Sequence, residues 1–333
     1  MHCASMQKDP IAVAQSLLAT GRPADAIAVI ASAAAGGYVP AIFQQALWSL
    51  AGTPLPRNLT HARMLLHEAA EHGHREARLI EIALVANGSG AAPDWPKALY
   101  LLDRSASKGD GNARQVLLLL NSMLLDSGGA PVASPLAEDL TAQGTIRRVS
   151  GFLTAAECAH IARSATDLLA PAVVVDPRTK RSVPHPIRTS DAAVIGPVRE
   201  DPVILAINRR IASVSNTDVR QGEALTVLRY SPGQQYRMHL DTLPHVVNQR
   251  LKTVLIYLNE NFEGGETIFP DHNVVIRPIC GDAVIFSNIS ADGSVISTAR
   301  HAGLPVRQGV KWLATRWIRV KPFDTWKGPE STE

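Results

Sequence analysis

Tyr230-Ser-Pro-Gly-Gln-Gln-Tyr236-Arg-Met-His239-Leu-Asp241 is the most informative stretch of this 333-residue chain. It ends with a histidine and an aspartate two positions apart, and residues i and i+2 of an extended strand project from the same face. One imidazole and one carboxylate can therefore reach a single ion. His301 follows sixty positions after Asp241 and is the candidate third ligand, and Lys311 follows ten positions after that histidine.

Two histidines and one carboxylate on one side of a metal ion leave the opposite positions open for other molecules. This arrangement is typical of non-haem Fe(II) oxygenases, so His239, Asp241 and His301 are predicted to bind Fe(II). In a strand that begins at Lys311, alternation places Lys311 and Trp317 on the same inward face. The sequence therefore predicts an iron site with a buried cation near it.

The segments around these residues form further blocks along the chain. In order, they are Glu223-Ala-Leu-Thr-Val-Leu-Arg-Tyr230, Leu255-Ile-Tyr257-Leu-Asn, Glu263-Gly-Gly-Glu-Thr267-Ile-Phe-Pro270, Pro278-Ile-Cys-Gly281-Asp282-Ala-Val-Ile-Phe286 and His301-Ala-Gly-Leu-Pro305-Val-Arg-Gln-Gly309-Val-Lys311-Trp312-Leu-Ala-Thr315-Arg-Trp317. Together with residues 230–241 they resemble the 2-oxoglutarate-dependent prolyl 4-hydroxylases. The resemblance covers roughly residues 145–322 and does not reach the first 125.

The resemblance implies a fold, a set of cofactors and a reaction. The fold is a double-stranded β-helix, and the cofactors are Fe(II), 2-oxoglutarate and O₂, with ascorbate as the reductant. The reaction is hydroxylation of an unactivated C–H bond, coupled to oxidative decarboxylation of 2-oxoglutarate to succinate and CO₂. The resemblance assigns His239, Asp241 and His301 to the metal, and catalysis to these three residues together with Lys311.

The second carboxylate of 2-oxoglutarate needs its own partners inside the protein. An unpaired buried charge is costly, so this carboxylate requires a cation and hydrogen-bond donors. The resemblance assigns the cation to Lys311. It places Tyr230, Thr267 and Trp317 in the same cosubstrate site.

Two residues, Arg250 and Tyr236, are expected to contact the substrate. Arg250 matches a family position associated with substrate binding, although exposure to water at the start of a strand explains an arginine there equally well. Strict alternation points Tyr236 away from His239, so its contact with substrate requires a bulge or a bend in the strand. The segment 176–186 carries three cations and three prolines, and it forms either a loop over the mouth of the site or a solvated connection.

The first 125 residues contain an internal repeat with a period of 36. The repeated positions are Ala26, Ala62 and Ala98, then Gly37, Gly73 and Gly109, then Ala41, Ala77 and Ala113. Each copy is predicted to form two helices, for example at 59–72 and 75–86, with a left-handed glycine where the first helix ends. Such helix pairs stack into a solenoid, and the pattern resembles Sel-type repeats, relatives of the tetratricopeptide family.

The role of the repeats and the identity of the substrate stay open at this point. The repeats recruit a protein or peptide partner, form a dimer interface, or shield one face of the barrel. The substrate is either a prolyl or other residue of a protein or peptide, or a free amino acid or small metabolite. A non-catalytic binding protein with a vestigial barrel is a third interpretation, and the full ligand set with Lys311 argues against it.

The expected fold class is α+β with two domains, an N-terminal α-helical solenoid and a jelly-roll double-stranded β-helix that carries the catalytic site. The predicted boundaries are 1–125 for the repeats, 126–140 for a linker, 141–323 for the dioxygenase domain and 324–333 for a tail. Strands are expected at 225–229, 237–241, 252–258, 267–269, 274–277, 283–286, 305–307 and 311–320, and helices at 155–169 and 202–213.

Composition bounds the class of protein further. The net charge is +3 with dispersed cations, which gives no basis for nucleic-acid binding. Cys3, Cys158 and Cys280 lie at unrelated spacings and suit reduced thiols, the last two in the core. The N-terminus lacks the pattern of an export signal, and no apolar run reaches the roughly 18 residues of a membrane span. We therefore expect a cytoplasmic protein that binds neither membranes nor nucleic acids.

Overall fold

Residues 9–175, 182–184 and 187–327 are described by the structure, which is a computed structural model. The chain forms two units, residues 1–118 with 198–202 and residues 119–197 with 203–333. The first unit divides from the second at Leu118, whereas the linker predicted from composition begins at residue 126. The predicted domain limits therefore stay predictions, and each unit is described by itself.

Helices make up the first unit. They are α1 (Pro10–Ala19), α2 (Pro23–Ala35), α3 (Val39–Ala51), α4 (Leu59–Glu71), α5 (Arg75–Asn87), α6 (Trp95–Ser107) and α7 (Gly111–Ser122), which begins in this unit. From α1 to α6, each helix packs against the next along the chain, as in stacked helical repeats. The helices predicted at 59–72 and 75–86 are α4 and α5, within one residue at each end.

The 36-residue repeat explains both the packing and the turns of these helices. The six repeated alanines are fully buried, which lets neighbouring helices approach closely: Ala26, Ala41, Ala62, Ala77, Ala98 and Ala113. Gly37, Gly73 and Gly109 have φ angles of 80°, 91° and 93°. A side chain with a Cβ is strained in that left-handed conformation, so glycine recurs where one helix gives way to the next.

Strands dominate the second unit. They are β1 (Glu138–Asp139), β2 (Ile146–Val149), β3 (Ala170–Pro171), β4 (Val173–Val175), β5 (Ser182–Pro184), β6 (Asp191–Ile195), β7 (Leu225–Tyr230), β8 (Tyr236–His239), β9 (Arg250–Tyr257), β10 (Phe262–Gly264), β11 (Thr267–Phe269), β12 (Val274–Ile276), β13 (Ala283–Ser287), β14 (His301–Gly303), β15 (Val306–Gly309) and β16 (Lys311–Arg319). All the predicted strands are present, with ends that differ by at most two residues.

Most of these strands belong to two antiparallel sheets. The larger sheet has the order β1-β2-β13-β9-β16-β7-β6-β3, and the smaller has the order β12-β11-β14-β8. Tyr257 and Phe286 of the larger sheet and Phe269 of the smaller sheet meet in one buried core. A double-stranded β-helix has this architecture, so the predicted α+β fold class, with helices followed by a β-helix, is confirmed.

Two helices accompany the sheets. Thr154 and Glu157 form a capping box at the start of α8 (Ala155–Ala165), and Glu157 also pairs with Arg210 of α9 (Pro202–Ser215) at 2.7 Å. The helix predicted at 155–169 ends earlier, because the chain tightens into a 3₁₀ turn at Thr166–Leu168. The helix predicted at 202–213 continues for two more residues.

Three sequence-based expectations meet the structure only in part. Cys158 is buried, whereas Cys280 is partly exposed, so the prediction that both lie in the core is wrong for Cys280. Cys3 and most of the predicted loop at 176–186 lie outside the described residues. Among the residues that the structure describes, none of the helices is long and apolar enough to cross a membrane.

Candidate active site

The two predicted histidine ligands lie opposite each other on neighbouring strands. β8 pairs with β14, and His239 is the direct antiparallel partner of His301. β8 ends at His239, so the strand predicted at 237–241 is too long, and Asp241 lies in the bend that follows. The carboxylate therefore reaches the site from irregular backbone rather than from the strand.

The three side chains converge despite this difference. Histidine nitrogens and a carboxylate oxygen from His239, Asp241 and His301 all lie within 4.8 Å of one another. Nε2 of His239 is 3.6 Å from Oδ1 of Asp241, and Nε2 of His301 is 3.9 Å from Oδ2 of the same carboxylate. One metal ion can bind all three side chains from one side, which is the facial arrangement that the sequence predicts.

Both imidazoles are held so that Nε2 faces the carboxylate. Nδ1 of His239 lies 2.8 Å from the carbonyl oxygen of Arg237, and Nδ1 of His301 lies 3.1 Å from that of Ala299. A carbonyl only accepts hydrogen bonds, so Nδ1 carries the proton in each ring. In a neutral imidazole of this tautomer the lone pair is on Nε2, where a metal ligand needs it.

Burial and charge favour the protonation states that a metal requires. Burial lowers the pKa of His301 to about 4, against the opposing charge of Asp241, so this imidazole is neutral at physiological pH. Burial alone raises the pKa of Asp241, but its interactions with His239 and His301 outweigh burial and hold that pKa below its usual range. His301 is therefore a neutral imidazole and Asp241 a carboxylate, which are the forms that bind a metal ion.

Tyr236 reaches the site because of a β-bulge. His239 pairs with His301, and Tyr236 pairs with Gly303. Between these two pairs β8 has one residue more than β14, and this bulge turns the Tyr236 side chain to the same face as His239. Its ring stacks on His239 with the centroids 3.5 Å apart. Burial raises the pKa of Tyr236 to about 12, so its hydroxyl stays protonated. The bulge that its predicted role requires is present.

Lys311 supplies a buried cation to the pocket that the proposed metal ligands line. It opens β16 opposite Tyr230 of β7, it is 3% exposed, and its Nζ donates to the carbonyl oxygen of Gly265 at 2.7 Å. The rings of Tyr230 and Tyr257 lie 5.5 and 5.4 Å from Nζ. Burial lowers the pKa of Lys311 to about 7, because the charge of Glu266 offsets the loss of hydration only in part.

Thr267 keeps a free hydroxyl proton for a ligand. Its Oγ1 accepts a hydrogen bond from the hydroxyl of Tyr257 at 2.8 Å, and a threonine hydroxyl has only one proton to donate. Both side chains are buried. Tyr257 had no role assigned from the sequence, although alternation along β9 places it on the face of Leu255, which lines the pocket.

Arg250 is not a solvated arginine at a strand end. Its Nε and Nη2 donate to the two carboxylate oxygens of Glu223 at 2.7 and 3.0 Å, and its guanidinium lies 3.9 Å from the ring centroid of Trp317. Arg319 also donates to Glu223, at 2.6 Å. The alternative of an arginine in water is therefore wrong. Sequence reasoning missed Glu223, which sits at the start of a matching block but carries no ligand pattern.

One pocket is lined by both the proposed metal ligands and Lys311. Its lining includes Tyr230, Tyr236, Thr267, Thr315 and Trp317. In the described part of the chain, Oγ1 of Thr315 and Nε1 of Trp317 are buried there without a hydrogen-bond partner. Buried polar atoms usually have partners, so these two atoms indicate a polar ligand. Alternation along β16 could have identified Thr315, because it shares the inward face of Lys311 and Trp317.

The residues present fit Fe(II) and 2-oxoglutarate. Two imidazoles and a carboxylate on one side suit a ferrous ion with open positions. A buried ammonium group and the hydroxyls of Tyr230 and Thr267 suit a carboxylate at the far end of the same pocket.

Comparisons with known proteins agree with this site. The 2OG-Fe(II) oxygenase superfamily matches residues 225–319 of the chain. Prolyl 4-hydroxylase 1 of Arabidopsis thaliana is 36% identical over 189 residues, which cover 51% of this chain and 67% of the relative. The protein is thus a 2-oxoglutarate-dependent dioxygenase with Fe(II), 2-oxoglutarate and O₂ as its cofactors and cosubstrates. More particularly, the chain belongs to the prolyl 4-hydroxylase-like family of these oxygenases.

Two solved structures resemble separate parts of the chain. A viral collagen prolyl hydroxylase from Paramecium Bursaria Chlorella virus-1 is 28% identical and covers 53% of this chain and 97% of its own, with a TM-score of 0.44. A Sel1 repeat protein from Oxalobacter formigenes is 21% identical and covers 33% of this chain and 85% of its own, with a TM-score of 0.30.

Proposed function

We propose that this dioxygenase hydroxylates a prolyl or other residue within a peptide or protein, and that oxidative decarboxylation of 2-oxoglutarate to succinate and CO₂ accompanies the reaction. The relative with 36% identity is itself named a prolyl 4-hydroxylase, which supports a prolyl acceptor. Ascorbate is the expected reductant, as is typical of this family.

In the proposed reaction, the chain binds and orients its ligands. Fe(II), when bound, supplies the activation of O₂ and the attack on the C–H bond. His239, Asp241 and His301 hold that ion, and the Lys311 ammonium group pairs with the far carboxylate of 2-oxoglutarate. Tyr230 and Thr267 donate hydrogen bonds to the same carboxylate, which fixes the cosubstrate in one orientation.

The peptidyl assignment depends on two aromatic side chains in the pocket of the metal ligands, Tyr236 and Trp317, which we call the aromatic wall. Tyr236 stacks on His239, and Trp317 lines the same pocket. Arg250 covers one face of Trp317 and is itself held by Glu223, so the Trp317 ring is held in place. Flat aromatic faces pack well against the ring of a proline residue. Arg250 is proposed to contact the peptide beyond that ring.

The test is a comparison of acceptors with Fe(II), 2-oxoglutarate and ascorbate present. Proline-containing peptides, the same peptides with alanine for proline, and free amino acids are incubated with the full chain. Mass spectrometry then detects the gain of one oxygen atom, and deuterium at C4 of proline locates the hydroxyl. Oxygen incorporation into the peptides supports the proposal, and incorporation into free amino acids alone overturns it.

A matched pair of variants on β8 tests the aromatic wall. Tyr236→Leu removes the ring beside His239, and we expect hydroxylation of the peptide to fall at least tenfold. Met238→Leu changes a neighbouring side chain that is 41% exposed and outside the pocket lining, so it serves as the control. Equal activity of both variants would contradict a role of the wall in binding the acceptor.

A further inference from the structure

Asp241 lies in irregular backbone after β8, so contacts from other elements must hold it in position. Because β8 ends at His239, Asp241 lies outside the ladder that fixes both histidines. Two hydrogen bonds from β9 hold Asp241 instead. Nη1 of Arg250 donates to the Asp241 carbonyl oxygen at 3.3 Å, and the Thr253 hydroxyl donates to Oδ2 of its carboxylate at 2.6 Å.

The hydroxyl of Thr253 is itself oriented by a third side chain. Nδ2 of Asn288 donates to Oγ1 of Thr253 at 2.9 Å. A hydroxyl has one proton, and Asp241 only accepts, so the Thr253 proton points to the carboxylate while its oxygen accepts from Asn288. The three side chains therefore form a hydrogen-bond relay in which Asn288 donates to Thr253 and Thr253 donates to Asp241.

The relay is buried along its whole length. Thr253, Asn288 and Asp241 are 0%, 2% and 5% exposed, so water does not compete for these hydrogen bonds. Among the described residues, Oδ1 of Asn288 has no hydrogen-bond partner. An unpaired buried amide oxygen costs free energy, and a leucine of similar size would avoid that cost. The hydrogen bond from Nδ2 to Thr253 therefore explains why an asparagine occupies this position.

We propose that Thr253 and Asn288 are positioning residues for the metal-binding carboxylate. Thr253, oriented by Asn288, donates to Oδ2 of Asp241 and so sets the rotation of the carboxylate, with Oδ1 turned toward His239. This proposal rests on the assignment of Asp241 as a metal ligand. Neither residue belongs to the metal-ligand group or lines the pocket.

The experiment measures metal affinity apart from turnover. Co(II), which does not oxidise readily in air, is titrated calorimetrically into the metal-free full chain without 2-oxoglutarate. Thr253→Val keeps the shape of the side chain and removes its hydroxyl, whereas Thr253→Ser keeps the hydroxyl. Thr226→Val is the control, because Thr226 is a buried threonine of β7 whose hydroxyl lies near the Ala224 carbonyl oxygen instead.

Loss of a group that orients a metal ligand typically weakens binding by about 10- to 100-fold. We expect a weakening of that size for Thr253→Val, at least partial recovery in Thr253→Ser, and affinity within twofold of the unmodified chain for Thr226→Val. Thermal unfolding of each metal-free variant shows whether the fold is retained. Unchanged affinity in a folded Thr253→Val variant, or equal loss in Thr226→Val, overturns the proposal.

A second pair of variants separates this relay from the site itself. Asn288→Ala is expected to weaken Co(II) binding when Thr253 is present and to have little further effect in Thr253→Val, because the amide acts through the hydroxyl. Fully additive losses contradict the relay. Asp241→Asn tests the site: if it binds Co(II) as tightly as the unmodified chain, the ligand assignment fails, whatever the Thr253 variants show.

Discussion

His239 and His301 face each other across the pairing of β8 and β14, with their ring centroids 4.2 Å apart. This pairing joins two segments that are 62 positions apart in the sequence. Because side chains alternate along a strand, a shift of one residue in register would turn one imidazole away from the other. The metal site therefore depends on the register of this short sheet.

Asp241→Asn removes the charge of the third ligand and preserves its size. We expect Fe(II) affinity and Fe(II)-dependent succinate release to fall at least 100-fold, because an amide oxygen is a much weaker ligand than a carboxylate. Metal titration and a succinate assay measure the two effects. Asp271→Asn, which breaks the more exposed ion pair with Arg300, is the control and should leave both unchanged. Retained succinate release in the Asp241 variant would refute the proposed site.

The affinity for 2-oxoglutarate should depend on pH through Lys311. Burial lowers the Lys311 pKa to about 7, so the amine is mostly charged at pH 6 and mostly neutral at pH 8. A bound carboxylate stabilises the charged form and raises this pKa again. Binding above pH 7 must therefore take up a proton, and the affinity should fall by up to about tenfold for each further pH unit. Calorimetry in two buffers of different ionisation enthalpy counts the protons taken up.

Lys311→Arg provides the control for this pH dependence. A guanidinium stays charged across the whole range, so the variant should bind 2-oxoglutarate with little dependence on pH between 6 and 9, although with a changed absolute affinity. If the unmodified chain and Lys311→Arg show the same pH profile, Lys311 is not the group that titrates.

Much of this architecture was predictable from the sequence, for physical reasons. The repeated small residues at Ala62 and Gly73 identify the helix pairs, because burial at a crossing and a left-handed turn each restrict the choice of residue. Alternation along β16 placed Lys311 and Trp317 on one face, and both line the pocket. These signals are local, so a single sequence contains them.

Other features were not predictable because they depend on pairing between distant segments. The bulge that turns Tyr236 toward His239 arises from the register of β8 on β14. The sequence of β8 by itself does not indicate this bulge. The early end of β8 before Asp241 has the same origin. The partnership of Arg250 with Glu223 joins residues that are 27 positions apart, and neither residue carries a ligand pattern.

Met64 and Tyr100 test whether the helical repeats bind a substrate protein. They occupy equivalent positions, 36 residues apart, and are 66% and 62% exposed. If the repeats recruit the substrate, Met64→Ala with Tyr100→Ala should raise the KM for a protein substrate several-fold and leave 2-oxoglutarate turnover with a short peptide unchanged. Leu118→Ala, at 71% exposure, is the control for loss of an exposed apolar side chain. Identical KM values in all variants would argue against recruitment through these two side chains.

Gly222→Ala should destabilise the second unit more than its small change in size suggests. A Cβ at this position would lie 2.2 Å from Nε of Arg316, whose guanidinium is buried and donates to three backbone carbonyl groups. Moving that guanidinium breaks these bonds, so we expect unfolding to become easier by about 2 to 4 kcal/mol. Chemical denaturation measures the loss. Gly196→Ala is the matched control, because a Cβ there meets nothing within 4 Å, and a similar loss in both variants would contradict the steric argument.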